Sequence, residues 1–176
     1  MAAPQVPIEV DPETGIWSTD GLPMIYLPRH FLVNMLKGVE AAIGTAGYRA
    51  MFYDSSDLSA LQWCRAEAKT HGLDAPATFR HYLKRLGQRG YGQIEITALD
   101  ATAGTASVVV KNSAFALGWG KDAGKPVCTI FEGSFAGGLR YVLEQAGRAG
   151  TPVCREVACA AEGHGECRFE LRCEAA

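Results

Sequence analysis

CREVACAAEGHGECRFELRC, from Cys154 to Cys173, carries four of the six cysteines of a 176-residue chain. Around the turn Glu162-Gly163-His164-Gly165 it reads as two strands, near Val153 to Ala160 and Cys167 to Arg172, paired as an antiparallel hairpin. Upstream, about Pro126 to Ala146 reads as a helix. Before that, Ile94, Ile96 and Ala98 alternate with Gln93, Glu95 and Thr97, and a turn at Gly104 leads into Ser107 to Lys111 as a second hairpin. Earlier still the period is helical. Leu32, Leu36, Val39 and Ile43 mark a helix from Pro28 to Gly44, and a further helical stretch runs from Ala46 to His71 with a break near Asp54, Ser55 and Ser56. Asp74 caps a third helix whose face is Phe79, Tyr82, Leu83 and Leu86. Helices, hairpin, helix, hairpin is an α+β order and predicts an antiparallel sheet packed against a helical layer. Residues 1–27 form an arm with a short hairpin around Gly21, and 28–176 form a single domain.

A chain with 48% apolar and 20% charged residues buries one sizeable core. A net charge of −2 and a pI near 6.1 supply no basic field, so direct binding of nucleic acid is not expected. No basic leader precedes an apolar core, and no run of about eighteen apolar residues occurs, so a cytoplasmic protein with no membrane contact is expected. In a reducing cytosol clustered cysteines point to metal or redox chemistry rather than to disulfides. Cys64, alone in a helical pattern, reads as core.

Zinc takes about four thiolate, imidazole or carboxylate ligands at about 2.0 to 2.3 Å, and a tight turn is a good way to present two of them. Cys159 and Cys167 flank such a turn with seven residues between them. This is not the CxxC knuckle of a zinc finger, and buried hairpin cysteines are the competing reading. Cys154 and Glu156 share one face of an ideal strand while Cys159 takes the other. Glu156 and Cys159 meet one cation only if the strand ends or bulges between them. His164, in a Gly-flanked turn, is a solvated loop residue or a further ligand.

The stretch PVCTIFEGSFAGGLRYVLEQAGRAGTPVCREVACAAEGHGECRFEL, Pro126 to Leu171, resembles the C-terminal half of the 4-vinyl reductase domain family. The family's pattern is a Cys, a Gly-rich helix, then E-x-x-C-x-x-x-G-x-x-x-C-x-F, and Cys128, Gly133, Gly137, Glu156, Cys159, Gly163, Cys167 and Phe169 fall in place. IYLPRHF and VVKNSAFA are similar to its N-terminal entry and its strand-to-helix segment. The resemblance spans about one such domain. It implies a Bet3-like α+β fold, a habit of forming homodimers, and kinship with the sensor domains of phenol- and xylene-responsive activators. It also implies a structural zinc on Cys128, Glu156, Cys159 and Cys167. The separation of Cys128 from Glu156 is longer than in the phenol sensors, which makes Cys154 the alternate ligand. The histidine that grips the phenol hydroxyl has no counterpart around LGQRGYGQ.

Trp63, Phe115, Trp119, Phe131, Phe135 and Tyr141 are the candidate ligand-binding residues, with core packing as the alternative; Trp63, Trp119 and Tyr141 each combine ring area with a polar group. Gly133, Gly137 and Gly138 within a helix cost up to about 1 kcal/mol each relative to alanine. They imply close approach of the sheet or of a second chain. No GxSxG elbow, HExxH or dinucleotide fingerprint is present, and no catalytic residue is assigned. The sequence therefore predicts a zinc-stabilised sensory or binding module for an apolar or aromatic metabolite. It would lack an output domain of its own and act through a separate signalling or enzyme partner. The rival readings are an enzyme or accessory acting on a tetrapyrrole or other hydrophobic metabolite, and an assembly scaffold resembling vesicle-tethering subunits.

Overall fold

The computed structural model describes residues 6–174. An antiparallel ribbon comes first: β1 (Glu9–Val10), β2 (Trp17–Thr19) and β3 (Leu22–Met24). Asp20 and Gly21, with φ of 53° and 75°, make the β2–β3 turn; a two-residue hairpin of this kind asks for positive φ at both positions.

The two expected helices form as two arms of α1 (Arg29–His71) that meet at a kink. Gly44 ends the first arm, with a non-helical φ of 75° and ψ of 163° that glycine adopts without a Cβ penalty. The expected break at Asp54 to Ser56 is absent. Ser55 Oγ donates to the Met51 carbonyl at 2.6 Å, which satisfies the serine without breaking the helix. Gly72, with φ 63°, terminates it, its N–H donating to the Ala68 carbonyl. Asp74 then caps α2 (Ala75–Gln88), its Oδ1 accepting the Ala77 N–H at 2.7 Å.

β4 (Gln93–Asp100) and β5 (Thr105–Lys111) form the first hairpin, followed by the short α3 (Ala114–Trp119) and then α4 (Thr129–Gln145). β6 (Thr151–Ala158), a 3-10 turn at Ala160–Glu162 and β7 (Cys167–Glu174) close the chain. The sheet order is β4-β5-β7-β6, antiparallel throughout, so the architecture is the α+β one the sequence predicts. Ala106, Val108 and Val110 of β5 and Cys167, Phe169 and Leu171 of β7 are buried.

α4 is buried on nearly every side and lies between that sheet and α1. Phe135 meets Phe169 at 5.0 Å, while a Cβ on Gly133 or Gly137 would stand 2.2 Å from the Tyr53 or Asp57 carbonyl of α1. The close approach these glycines permit is therefore to a helix of the same chain. It is not to the sheet, and the face is not free for a second chain. A Cβ on Gly138 would meet the Phe79 ring of α2. No helix among the described residues is long and apolar enough to cross a membrane.

Candidate functional site

The opened end of the β6–β7 hairpin meets the N-terminus of α4. β6 pairs Glu156 with Phe169 and then Ala158 with Arg168, so Val157 is an extra residue on that strand. That bulge resolves the parity conflict between Glu156 and Cys159 and turns both toward one point. Gly163, at φ 93°, closes the 3-10 turn and lets the chain come back to Cys167. Cys128 is the N-cap of α4, and its N–H donates to Glu156 Oε2 at 3.0 Å.

The Sγ atoms of Cys128, Cys159 and Cys167 and a carboxylate oxygen of Glu156 all lie within 4.8 Å of one another. The Cys128 and Cys167 sulfurs are 3.7 Å apart, Ser113 Oγ sits 3.3 Å from Cys128 Sγ, and the Ala160 N–H donates to Cys167 Sγ at 3.3 Å. The three cysteines are fully buried and Glu156 is 9% exposed. Cys154 and His164 are not in the group. Cys154 is buried with its N–H on the Tyr53 hydroxyl at 3.0 Å, and His164 is exposed on the turn.

Electrostatics in the cluster are strained. Thiol hydrogen bonds from Cys128 and Cys167 hold Cys159 well below the usual thiol range, while those same bonds to Cys159 and Cys167, then burial, push Cys128 upward. Burial, reinforced by Cys159, pushes Glu156 up to about 8. Its Oε1 is buried without a hydrogen-bond partner among the described residues. Three sulfurs and a carboxylate crowded together and buried, with one oxygen unpartnered, are a donor set of the kind a cation takes.

A buried acid behind the cluster gives no motif in the sequence. Glu132, 2% exposed, accepts the Glu156 N–H at 2.9 Å and Arg49 at 2.7 Å, and Arg49 also donates to Thr129 Oγ1 at 3.2 Å. The signal was its place as a lone charge in the apolar run TIFEGSFAGGL.

The six candidate ligand-binding residues do not share one space. Phe115, Phe131 and Phe135 stack among themselves and with Phe169, at ring separations of 5.0 to 6.0 Å, as the centre of the core. Tyr141 is buried on α4. Trp119 lies 6.4 Å from Tyr48 with Lys37 over its ring. Trp63 is elsewhere, between α1 and α2. Tyr82 lies 4.9 Å from it, His81 stacks at 5.6 Å and the Arg89 guanidinium is 5.6 Å from its ring. Trp63 Nε1 and Arg89 Nε and Nη2 are buried without hydrogen-bond partners among the described residues, and burial lowers the pKa of Arg89.

A family model described as a domain of unknown function, DUF5943, matches residues 2–97. That segment holds the ribbon, α1, α2 and the start of β4 and stops short of the cysteine cluster. No curated protein matches the chain significantly. Among solved structures, the phenol-responsive sensory domain of the transcription activator PoxR with phenol is similar at a TM-score of 0.77 and 18% identity, covering 94% of this chain and 84% of that one. A trafficking protein particle complex subunit 3 from Naegleria fowleri, covalently bound to palmitic acid, gives 0.55 and 12%, covering 83% and 95%. A vinyl-4-reductase family protein from Methanocaldococcus jannaschii gives 0.55 and 15%, covering 86% and 84%. At these identities the likeness is one of fold.

Proposed function

This chain belongs to the DUF5943 family, and we propose that it is a small-molecule binding module of the sensory kind, stabilised by zinc. The ligand class is aromatic, with one oxygen-bearing end. The observation that carries the reading is the contact of Trp63 with Arg89, the Nε1 of the one and the Nε and Nη2 of the other being buried without hydrogen-bond partners among the described residues. A buried N–H without a partner costs roughly 1 to 3 kcal/mol, more on a charged group, so three such donors around one aromatic ring fit a ligand acceptor. An aromatic ligand would lie against Trp63 and set a hydroxyl, carbonyl or carboxylate oxygen on Arg89. The shared fold with a phenol-responsive sensory domain supports the class of function.

Cys128, Glu156, Cys159 and Cys167 would hold the zinc. Four protein ligands suit a structural ion, whose chemistry is to neutralise the thiolates and fix the hairpin to α4. The unpartnered Glu156 Oε1 supports that fit.

Association into homodimers is part of the same proposal. Ile25, Tyr26, Leu27, Phe31 and Met35 are exposed by 42 to 86% on the segment leading into α1 and on its first turns, an apolar surface suited to a second copy of this chain.

The deciding experiment is calorimetric titration with phenol, benzoate and their heterocyclic analogues. Saturable binding that Arg89→Gln weakens at least tenfold supports the reading. Absence of binding across the set overturns it.

A further inference from the structure

We propose that Asp20, Glu67, His71 and His81 form a second metal site, taking a divalent transition-metal cation through two imidazoles and two carboxylates. It shares no residue with the cysteine cluster, and it stands whether or not the small-molecule reading does. Three separate elements converge here. Asp20 comes from the β2–β3 turn, Glu67 and His71 from the last turns of α1 at the i, i+4 spacing that puts both on one face, and His81 from the middle of α2.

Their donor atoms all lie within 4.8 Å of one another. Glu67 Oε2 is 3.2 Å from His71 Nε2 and 3.1 Å from His81 Nε2, and Asp20 Oδ1 is 3.9 Å from His71 Nε2. A tetrahedral ion with bonds of about 2.0 to 2.1 Å spaces its ligands by about 3.3 Å, within that range.

A purely protonic network is the competing account, and it leaves the centre unsatisfied. Glu67 is wholly buried, and with both imidazoles on Oε2 its Oε1 has no partner among the described residues. Arg85 holds Asp20 at 2.9 Å, and Glu67 has no Arg or Lys within salt-bridge distance among the described residues. A cation between the four donors neutralises both acids and accepts both imidazoles as neutral ligands.

The surroundings fix the ligands as an outer layer does. The Trp63 ring stacks on His81 at an interplanar angle of 24°, and Arg85 orients Asp20. The His71 side chain is 33% exposed, which supplies an entry path. Imidazole with carboxylate favours zinc, nickel or cobalt over the oxygen-seeking calcium and magnesium. All four residues lie within the segment that defines the family, and the ion would staple the N-terminal ribbon to the α1–α2 corner.

Titration of the full chain with Co2+ tests this, because thiolate and N/O sites differ in charge-transfer absorption. Two equivalents are expected, one with thiolate bands and one without. Glu67→Gln and His81→Ala should weaken only the second, by at least tenfold. The paired change Cys159→Ser with Cys167→Ser should remove only the first. Imidazole 15N resonances of His71 and His81, followed in the unaltered protein during zinc titration, keep the test independent of how the variants fold, and both should shift. Saturation by thiolate-type binding alone, with those resonances unmoved, would overturn the proposal.

Discussion

The Glu132 carboxylate on α4 accepts the main-chain N–H of Glu156 on β6 at 2.9 Å, and its second oxygen is held by Arg49 of α1 at 2.7 Å. One buried acid thus ties three elements together directly behind the cysteine cluster. Glu132→Ala removes the acceptor and leaves a buried N–H unpaired. A loss of about 1 to 3 kcal/mol is expected in urea unfolding, together with weaker metal retention. Glu132→Gln keeps an acceptor and should cost less. Equal losses for the two variants would mean that the carboxylate's charge on Arg49, and not the Glu156 hydrogen bond, is what matters.

Zinc bound by thiolates is lost when the thiolates are modified. Treating the purified protein with a mercurial reagent should release one zinc per chain, and Cys167→Ser should lower both that release and the melting temperature. Because the metal binds the folded state, a strong chelator should also lower the melting temperature of the unaltered protein. No released zinc, with stability unchanged by Cys167→Ser, would mean that the cluster is only a set of buried thiols.

How much the sequence disclosed follows from how local each signal was. The β6–β7 hairpin and its cysteines are close in the chain, and the parity conflict between Glu156 and Cys159 called for the bulge that occurs at Val157. Gly44 read as a helix end, and its non-helical φ and ψ do divide α1 there, with Leu36 before the kink and Tyr48 after it buried in the same core. The Asp20, Glu67, His71 and His81 group was out of reach because it is assembled from residues up to sixty-one positions apart. Only the Glu67–His71 spacing was local, and such a pair on a helix is common as a solvated face. Arg89 belongs to no motif, and its contact is with Trp63, more than twenty residues earlier.

Helix contact through glycine gives a sharp contrast. Gly137→Ala places a Cβ 2.2 Å from a backbone carbonyl of α1, which only movement of a helix can relieve, so a loss of about 3 kcal/mol or more is expected. Gly38 lies within α1 with nothing within 4 Å of its Cβ position, and Gly38→Ala should gain up to about 1 kcal/mol from helix propensity. Thermal and urea unfolding of both variants checks the pair. A tolerated Gly137→Ala would show that α1 and α4 can separate freely.

Sedimentation tests the exposed apolar surface ahead of α1. At micromolar concentration about twice the chain mass is expected, and Tyr26→Glu with Phe31→Glu should return the protein to monomer without loss of stability, because both side chains are exposed. A monomer across that range would leave this surface to a different partner.

Ligand recognition by Trp63 and Arg89 separates into a ring contribution and a polar contribution. Trp63→Phe keeps an aromatic face but deletes Nε1–H, so it should weaken a ligand that accepts from the indole while leaving purely stacked ligands nearly unchanged. Arg89→Gln removes the charge and should discriminate more strongly against benzoate than against phenol, because a carboxylate can engage the guanidinium through both oxygens. Stabilisation by a ligand that binds only the folded state reaches about 2.7 kcal/mol at one hundred times its dissociation constant, a shift easily read as a rise in melting temperature. The expected pattern is a benzoate-type shift in the unaltered protein that Arg89→Gln abolishes and Trp63→Phe only reduces. If both variants instead melt higher than the unaltered protein and no ligand shifts any of the three, the unpartnered donors are a cost of the core, and the binding site lies elsewhere.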